Sequence, residues 1–280
     1  MNKNILKSSA LLTVAMIATP LLATNVSAAT TTGGDYTSSA NLTLQAGTGP
    51  VSPLDPTDPI NPVTPVDPVT PGAAGNITVD YGSKLYFGTQ SISTEQKVYY
   101  AQPDMVKDST NTIKAVPNFS QVTDQSGELA GWTLTLTQES DLHLTTGTST
   151  DPGYALTGAQ ISFAGGTVVG GNGITAGTPS DVVTSGSLTP GVATKLVSAA
   201  ANEGAGTWLY NFGDLNDYDT NSVDLTNTSD HSKVATKSAI SLTVPAGITE
   251  KAAAYTTNLY WSLQAVPGNA WTGNTSSVTN

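Results

Sequence analysis

From Ile77 onward the chain is a succession of short segments rich in threonine, valine and aromatic residues. Segments such as ITVDY, KVYYA, WTLTLTQ, AQISFA and TWLYNFG have the length and residue types of β-strands, and the Gly, Asn, Asp, Ser and Pro clusters between them are typical of turns. ITEKAAAY is the best helical candidate, and it predicts at most a turn or two. These patterns predict an all-β domain over residues 76–280, built as a single β-sandwich or barrel-like sheet.

The first 28 residues have the features of a secretory signal peptide. Lys3 and Lys7 precede an apolar run from residue 10 to residue 23, and the small residues of VSA end at Ala28. We therefore expect cleavage after Ala28 and a secreted, extracellular protein. No later stretch approaches the roughly 18–20 apolar residues of a membrane helix, so the chain is not expected to span a membrane.

Two segments separate the signal from the predicted domain. Residues 29–49 contain Leu42 and Leu44 in alternation with polar residues, which predicts one short strand. Eight prolines then recur at every third position from Pro50 to Pro71. Because polyproline II has three residues per turn, this spacing predicts a semi-rigid spacer over residues 50–71; a ligand for a proline-recognition domain is the alternative.

Composition excludes some partners and removes one source of stability. The chain has no cysteine, so its stability must come from a packed core rather than from disulfides. It has no arginine, and loss of Lys3 and Lys7 with the signal leaves eight lysines against 21 acidic residues, a net charge of −13. Nucleic acid is therefore not an expected partner, because phosphates require a basic surface. The same charge repels anionic polymers.

A tryptophan followed two positions later by a leucine occurs twice, in GWTLTLTQ and in NLYWSLQA. Side chains at positions i and i+2 of a strand lie on the same face. The pattern therefore places Trp132 with Leu134, and Trp261 with Leu263, on the apolar face of a half-buried strand. We expect both pairs to be part of the core, and direct contact of the tryptophans with a ligand is the alternative.

In the strand predicted from NLYWSLQA, the face opposite Trp261 and Leu263 carries the candidates for ligand contact. Tyr260, Ser262 and Gln264 alternate with the apolar residues and are expected to face away from the core. Trp271 follows the strand and has no pattern that would bury it. These four residues are the predicted ligand-binding residues.

The sequence contains no convincing catalytic or cofactor-binding pattern. Its two histidines, His143 and His231, lie in contexts that do not suggest a nucleophilic triad or a metal site, so catalytic residues and cofactors are not predicted. An acidic stretch begins with Asp214, Asp217 and Asp219, but it lacks the glycine and the glutamate of an EF-hand loop. We expect an ordinary acidic loop, with an irregular Ca²⁺ site as the alternative.

An ordered set of blocks resembles one family of bacterial surface proteins. LTLQAGTGPVSPLDPTDP, LYFGTQSIS, VPNFSQVTDQSGELAGWTLTLTQ, LTGAQISF, GAGTWLYNFGD, SLTVPAG and YTTNLYWSLQAVPGN follow one another along the chain. Together they are similar to the WxL domain surface proteins of low-GC Gram-positive bacteria, including lactobacilli and enterococci. The resemblance implies a non-enzymatic module that binds peptidoglycan and assembles with sortase-anchored and membrane-anchored surface proteins.

A second hypothesis of a different class remains open at this point. The chain could instead be an adhesin for a host or plant polymer, with wall attachment supplied by a partner protein. Binding to purified peptidoglycan distinguishes the two, since an adhesin need not bind it.

Overall fold

A computed structural model describes residues 34, 36–67, 72 and 74–266. It divides the chain into two units, Met1–Thr43 and Leu44–Asn280. The predicted signal peptide lies outside the described residues. The strand predicted around Leu42 and Leu44 does not form: residues 36–48 have no regular secondary structure, and both leucines are 83% exposed. Two alternating leucines are too few to bury a face without a neighbouring strand.

The larger unit is built from short β-strands. In the part of the chain that the structure describes they are β1 (Leu54–Asp55), β2 (Asp58–Pro62), β3 (Thr64–Pro65), β4 (Ile77–Gly82), β5 (Lys97–Tyr100), β6 (Asp104–Lys107), β7 (Ile113–Val116), β8 (Phe119–Asp124), β9 (Trp132–Gln138), β10 (His143–Leu144), β11 (Gln160–Phe163), β12 (Gly166–Gly170), β13 (Asp181–Val182), β14 (Gly186–Ser187), β15 (Thr194–Ala199), β16 (Gly206–Phe212), β17 (Ile240–Val244), β18 (Tyr255–Thr256) and β19 (Leu259–Gln264). Three single-turn 3₁₀ helices accompany them, at Gly171–Gly173, Leu215–Asp217 and Thr220–Ser222.

The all-β class is confirmed, but the strands form several small antiparallel sheets rather than the two sheets of a sandwich or one closed barrel. Three sheets have four strands, in the orders β14-β11-β17-β5, β12-β16-β8-β4 and β13-β15-β9-β19. A three-stranded sheet, β3-β6-β7, and the pairs β1-β2 and β10-β18 complete the described set. The small sheets are arranged like the blades of a four-bladed propeller. Frequent turn clusters limit the strands to seven residues or fewer, which prevents a large sheet.

The two tryptophan motifs lie side by side in one sheet. β9 carries the first motif and pairs antiparallel with β19, which carries the second. Leu263 lies opposite Leu134, and Trp261 lies opposite Leu136. Motifs separated by about 130 residues in the sequence are therefore direct cross-strand neighbours, and such neighbours are the units that stabilise a sheet.

β9 is buried on both faces, whereas the sequence predicted a half-buried strand. Trp132 and Leu134 are fully buried on the apolar face, and Thr133 and Thr135 are equally buried on the other. The Thr133 hydroxyl shares a hydrogen bond of 2.8 Å with the Ser198 hydroxyl of β15. The prediction was wrong for the threonine face because tertiary contacts cover it: the Thr133 hydroxyl also donates to the Val266 carbonyl, beyond the end of β19, at 3.0 Å.

The main core lies beneath three of the small sheets. Trp132, Leu134 and Leu136 of β9 contribute to it together with Trp208 and Phe212 of β16, and all are nearly inaccessible to water. Partly buried side chains, including Trp261 and Leu263, pack against its rim. Since the chain has no disulfide, burial of these apolar surfaces is the principal stabilising term.

The proline segment folds against the domain instead of forming the predicted spacer. Over its described part, residues 50–67, β1 pairs with β2 and β3 pairs with β6. The backbone N–H of Val63 donates to the Pro53 carbonyl at 2.8 Å. Proline is compatible with this arrangement because a short two-stranded ribbon consists only of edge strands, where a missing N–H costs little.

The side chains between the prolines explain why this segment folds against the domain and does not form an extended rod. Leu54 and Val63 are each only 6% exposed and join a second core cluster with Tyr81, Phe119 and Leu209. A solvated rod would leave both aliphatic side chains in water. The folded unit therefore includes the proline segment and begins before it, not at residue 76.

Asp55, which an extended spacer would leave in water, is buried and forms an ion pair with Lys114 of β7. Its carboxylate also accepts hydrogen bonds from the Thr57 N–H at 2.9 Å and the Thr57 hydroxyl at 2.7 Å. Burial alone raises the pKa of Asp55, but the hydrogen bonds from Lys114 and Thr57 outweigh it and bring the pKa below the ordinary value. The ion pair thus joins the proline segment to β7.

Replacing Leu54 tests whether the proline segment is part of the fold. We expect Leu54→Ala to lower the free energy of unfolding by about 2–5 kcal/mol, because it leaves a cavity in the second core. Ile60→Ala is the matched control: Ile60 lies in the same ribbon but is 60% exposed, and its loss should change stability by less than about 0.5 kcal/mol. Urea unfolding measures both. An unchanged midpoint for Leu54→Ala would restore the spacer interpretation.

Replacing Lys114 tests the ion pair through its pH dependence. We expect Lys114→Met to destabilise the protein by roughly 1–3 kcal/mol at pH 7, since it leaves the buried Asp55 carboxylate without its cation. The folded pKa of Asp55 is lowered, so its stabilising contribution is present above the ordinary pKa and is lost as pH falls through the folded pKa. The difference between the two proteins should therefore shrink between pH 5 and pH 2.5. A difference independent of pH would contradict this role.

Candidate functional site

The two motif tryptophans have different environments. Trp132 is fully buried, and its indole N–H donates to the Gly204 carbonyl at 2.9 Å. Trp261 is only partly buried; it contacts Phe212 edge to face, with ring centroids 6.3 Å apart. Gly82 allows the close approach of the Trp261 ring, since a Cβ there would lie 2.5 Å from the indole nitrogen. The first tryptophan is entirely inside the core, and the second lies at its edge.

Trp261 lines an open cavity, a groove of about 1780 Å³. The groove is bordered by the segment from Val79 to Ile92, by Tyr99 and by the segment from Glu250 to Trp261. Six aromatic side chains that line it retain contact with water: Tyr86, Phe87, Tyr99, Tyr255, Tyr260 and Trp261. We call this feature the aromatic groove.

Most of these rings are held in place by the fold. Phe87, Tyr99, Tyr255 and Trp261 pack against the main core while also lining the groove. The Tyr255 hydroxyl donates to the Gly153 carbonyl at 2.8 Å and accepts from the backbone N–H of residue 251 at 2.9 Å. Rings fixed in this way lose little conformational entropy when a ligand contacts them.

Tyr86 is fixed by a histidine rather than by the core. Its ring stacks on His231 with centroids 3.5 Å apart and planes nearly parallel. Asp67 contacts both side chains: its carboxylate lies 3.5 Å from His231 Nε2 and accepts a hydrogen bond from the Tyr86 hydroxyl. These contacts connect the end of the proline segment to the wall of the groove.

A buried carboxylate supports the end of β4 beside the groove. Asp104 accepts hydrogen bonds of 2.5 Å from the hydroxyls of Tyr81 and Ser83. Burial raises the pKa of Asp104 above its ordinary value, although the hydrogen bonds from Ser83 and Tyr81 oppose that change. The groove wall therefore depends on a satisfied polar network as well as on apolar packing.

Two tyrosine hydroxyls that line the groove, those of Tyr86 and Tyr99, are neutral hydrogen-bonding groups. Burial, followed by the charge of Asp67, raises the pKa of Tyr86 to about 12. Burial, followed by the charge of Glu250, also raises the pKa of Tyr99. Both phenols therefore stay protonated near neutral pH. The Tyr86 hydroxyl already donates to Asp67, so it can only accept from an uncharged polar ligand.

The charged groups of the groove are few and mixed in sign. Lys84 and Lys251 line it together with Glu139, Glu250 and the buried Asp80, which accepts from the Thr123 hydroxyl at 2.6 Å. Both glutamates are engaged within the protein: Glu139 accepts from the Asn258 amide at 2.9 Å, and Glu250 accepts from the Ser93 N–H at 3.1 Å. The arrangement gives the groove no strong preference for an ion of either sign.

Of the four predicted ligand-binding residues, the structure describes three, and one of these three lines the groove. Tyr260 lines the groove and is 52% exposed. Ser262 and Gln264 lie farther along β19, where they are partly buried and pair with Thr135 and Thr133 of β9. Trp271 lies outside the described residues.

Four groove residues were not identified from the sequence: Tyr86, Phe87, Tyr99 and Tyr255. Two of them belong to the segment LYFG, and residues 83–93, which contain it, form no strand. Two adjacent aromatic residues without alternation were the available signal, because a half-buried strand places only one of two neighbours inside. Their convergence with β19 is a tertiary feature that periodicity does not reveal.

The acidic loop uses its carboxylates to stabilise its own backbone. Asp214 caps a 3₁₀ helix by accepting from the Asn216 N–H at 2.7 Å, and Asp217 accepts from the Asp214 N–H at 2.9 Å. Asp219 accepts from the Thr236 hydroxyl at 2.7 Å. Within the described residues, no three His, Cys, Asp or Glu side chains are grouped so that they could hold a metal ion.

Comparison with known proteins assigns a family to this architecture. Residues 31–267 match the WxL domain, whose description is a surface cell wall-binding domain. No curated protein and no solved structure matches the chain. Among the described residues, no helix is long and apolar enough to cross a membrane. Because the match covers well over half of the sequence, the chain belongs to the WxL family of surface cell wall-binding domains.

Proposed function

We propose that this secreted protein attaches non-covalently to the Gram-positive cell wall by binding peptidoglycan. Membership in a cell wall-binding family supports attachment at the cell surface. The aromatic groove is the observation that carries the proposal, since it joins fixed, partly exposed rings to neutral hydrogen-bonding groups. Such a surface suits binding of a wall polymer rather than catalysis.

The proposed contact surface is centred on the second motif. Trp261 and Tyr260 are neighbours on β19 and both line the groove. Ser262 and Gln264 extend the same strand beyond it and supply polar groups for a polymer longer than the groove. Trp271 follows this strand in the sequence and is included as a proposed contact.

The proposed attachment has two further parts. The first 28 residues direct export and are removed, which leaves a mature protein outside the cell. On the surface, the protein assembles with sortase-anchored and membrane-anchored partners, which is the arrangement that the family resemblance implies. Adhesion then results from the complex, with this chain holding it to the wall.

Selective removal of wall polymers tests the proposed ligand. The purified chain is expected to sediment with cell walls and at least as strongly with walls stripped of their teichoic acids. Digestion of the glycan strands with a muramidase should release it. Retention on undigested wall but not on stripped peptidoglycan would contradict the proposal, and failure to bind either would favour the adhesin hypothesis.

Acidification should strengthen binding to intact wall. The mature charge of −13 is unfavourable near anionic wall polymers, and protonation of carboxylates below about pH 5 reduces it. Neutralisation is incomplete at pH 4, since hydrogen bonds lower the pKa of Asp219, of Asp224 to about 2, and of Asp230. Pull-down at several pH values should show weaker binding at pH 8 than at pH 4.5.

Two controls separate this charge effect from a change in the site. Raising the salt concentration to about 1 M at pH 7 should imitate acidification, because it screens the same repulsion. Peptidoglycan stripped of teichoic acids should show little dependence on pH. Tighter binding at pH 8 than at pH 4.5 on intact wall would contradict the electrostatic account.

A further inference from the structure

We propose that the aromatic groove binds the glycan backbone of the wall polymer, an extended chain of β-linked N-acetylhexosamines, and not its stem peptides or anionic polymers. This inference rests on the proposed function and specifies the ligand of the same site. It follows from the exposure of the rings, the size of the groove and its charge.

The rings form a set of apolar surfaces suited to sugars. A pyranose presents a face of C–H groups that an aromatic ring covers, while the sugar hydroxyls at its edge need hydrogen-bond partners. Tyr99 and Trp261 each have one part packed on the core and another in the groove. A stem peptide could instead pair with the open edge of β19, and the titration below distinguishes that occupant from the glycan.

The volume of the groove fits an oligomer. At about 1780 Å³ it exceeds the roughly 300–1000 Å³ of a typical pocket for a small molecule. The stretch Ala252–Ala254 lines it with exposed residues whose short side chains leave space along the floor. A chain of several sugars is an occupant large enough to fill this volume.

The charge distribution disfavours binding of the anionic wall polymers in the groove. The chain carries a net charge of −11 before removal of the signal. The groove itself is lined by two lysines, Lys84 and Lys251, and by three carboxylates, Asp80, Glu139 and Glu250, all of which accept hydrogen bonds from the protein. A neutral glycan with amide and hydroxyl groups meets this mixed surface without a large desolvation cost.

Calorimetric titration with a soluble hexamer of β1,4-linked N-acetylglucosamine tests the inference on the full chain. The wild type should bind the hexamer, and Trp261→Ala should lower its affinity at least tenfold. Tyr36→Ala is the matched control, since Tyr36 is 91% exposed and lies in the other unit, and its affinity should be unchanged. Cellohexaose, which lacks the acetamido groups, measures how much of the affinity depends on them.

A second variant keeps the test decisive if Trp261→Ala unfolds. Tyr260 is 52% exposed, so Tyr260→Ala should keep the wild-type melting temperature and still lower the affinity at least threefold. If the wild type binds stripped peptidoglycan but shows no heat with the hexamer, the glycan inference fails while the proposed function stands. If the hexamer binds and both folded variants keep full affinity, the ligand class stands and the groove is the wrong site. Failure of the wild type to bind peptidoglycan overturns the proposed function itself.

Discussion

Pairing between β9 and β19 is the contact on which the rest of the larger unit depends. It joins residues about 130 positions apart, so closing it costs considerable chain entropy that only later burial offsets. The burial that offsets this cost occurs in the same sheet, where Trp132 and Leu134 are removed from water and Leu263 packs at the core rim. Without this pairing, the groove beside β19 has neither its second border nor Trp261.

The proline segment shows a second way in which this cysteine-free fold is stabilised. Leu54 and Val63 cover a small apolar cluster formed by β4, β8 and β16, and Asp55 connects the segment to β7 through Lys114. From its end, Asp67 reaches His231 and Tyr86 at the groove. The segment therefore helps to position the candidate site, which an extended spacer would not do.

The sequence pattern predicted which residues of the central strands alternate, but it did not predict all of the surfaces that tertiary contacts bury. The alternation of Trp132, Leu134 and Leu136 predicted the side that is buried, because period two is a local property of a strand. It did not predict burial of Thr133, which depends on tertiary contacts with Ser198 and with Val266 beyond the end of β19. The regular spacing of prolines indicated polyproline II, but tertiary contacts of Leu54 and Val63 determine the conformation instead.

The candidate site was only partly predictable for the same physical reason. Tyr260 was identified because it alternates with Trp261 along β19, whereas Tyr86 and Tyr99 reach the groove from other parts of the chain. Their convergence depends on how the small sheets pack, and no periodicity of a single strand contains that information.

Strand order explains why one motif gives two different tryptophans. β9 is an inner strand, so Trp132 has protein on every side and donates its indole N–H to Gly204. β19 is the last strand of the same sheet, so Trp261 has a neighbouring strand on one side and the groove on the other. The same spacing of tryptophan and leucine thus builds the core at one position and forms the margin of the groove at the other. The position of each strand in the sheet, rather than the residue types, therefore determines whether the motif tryptophan lies inside the core or beside the groove.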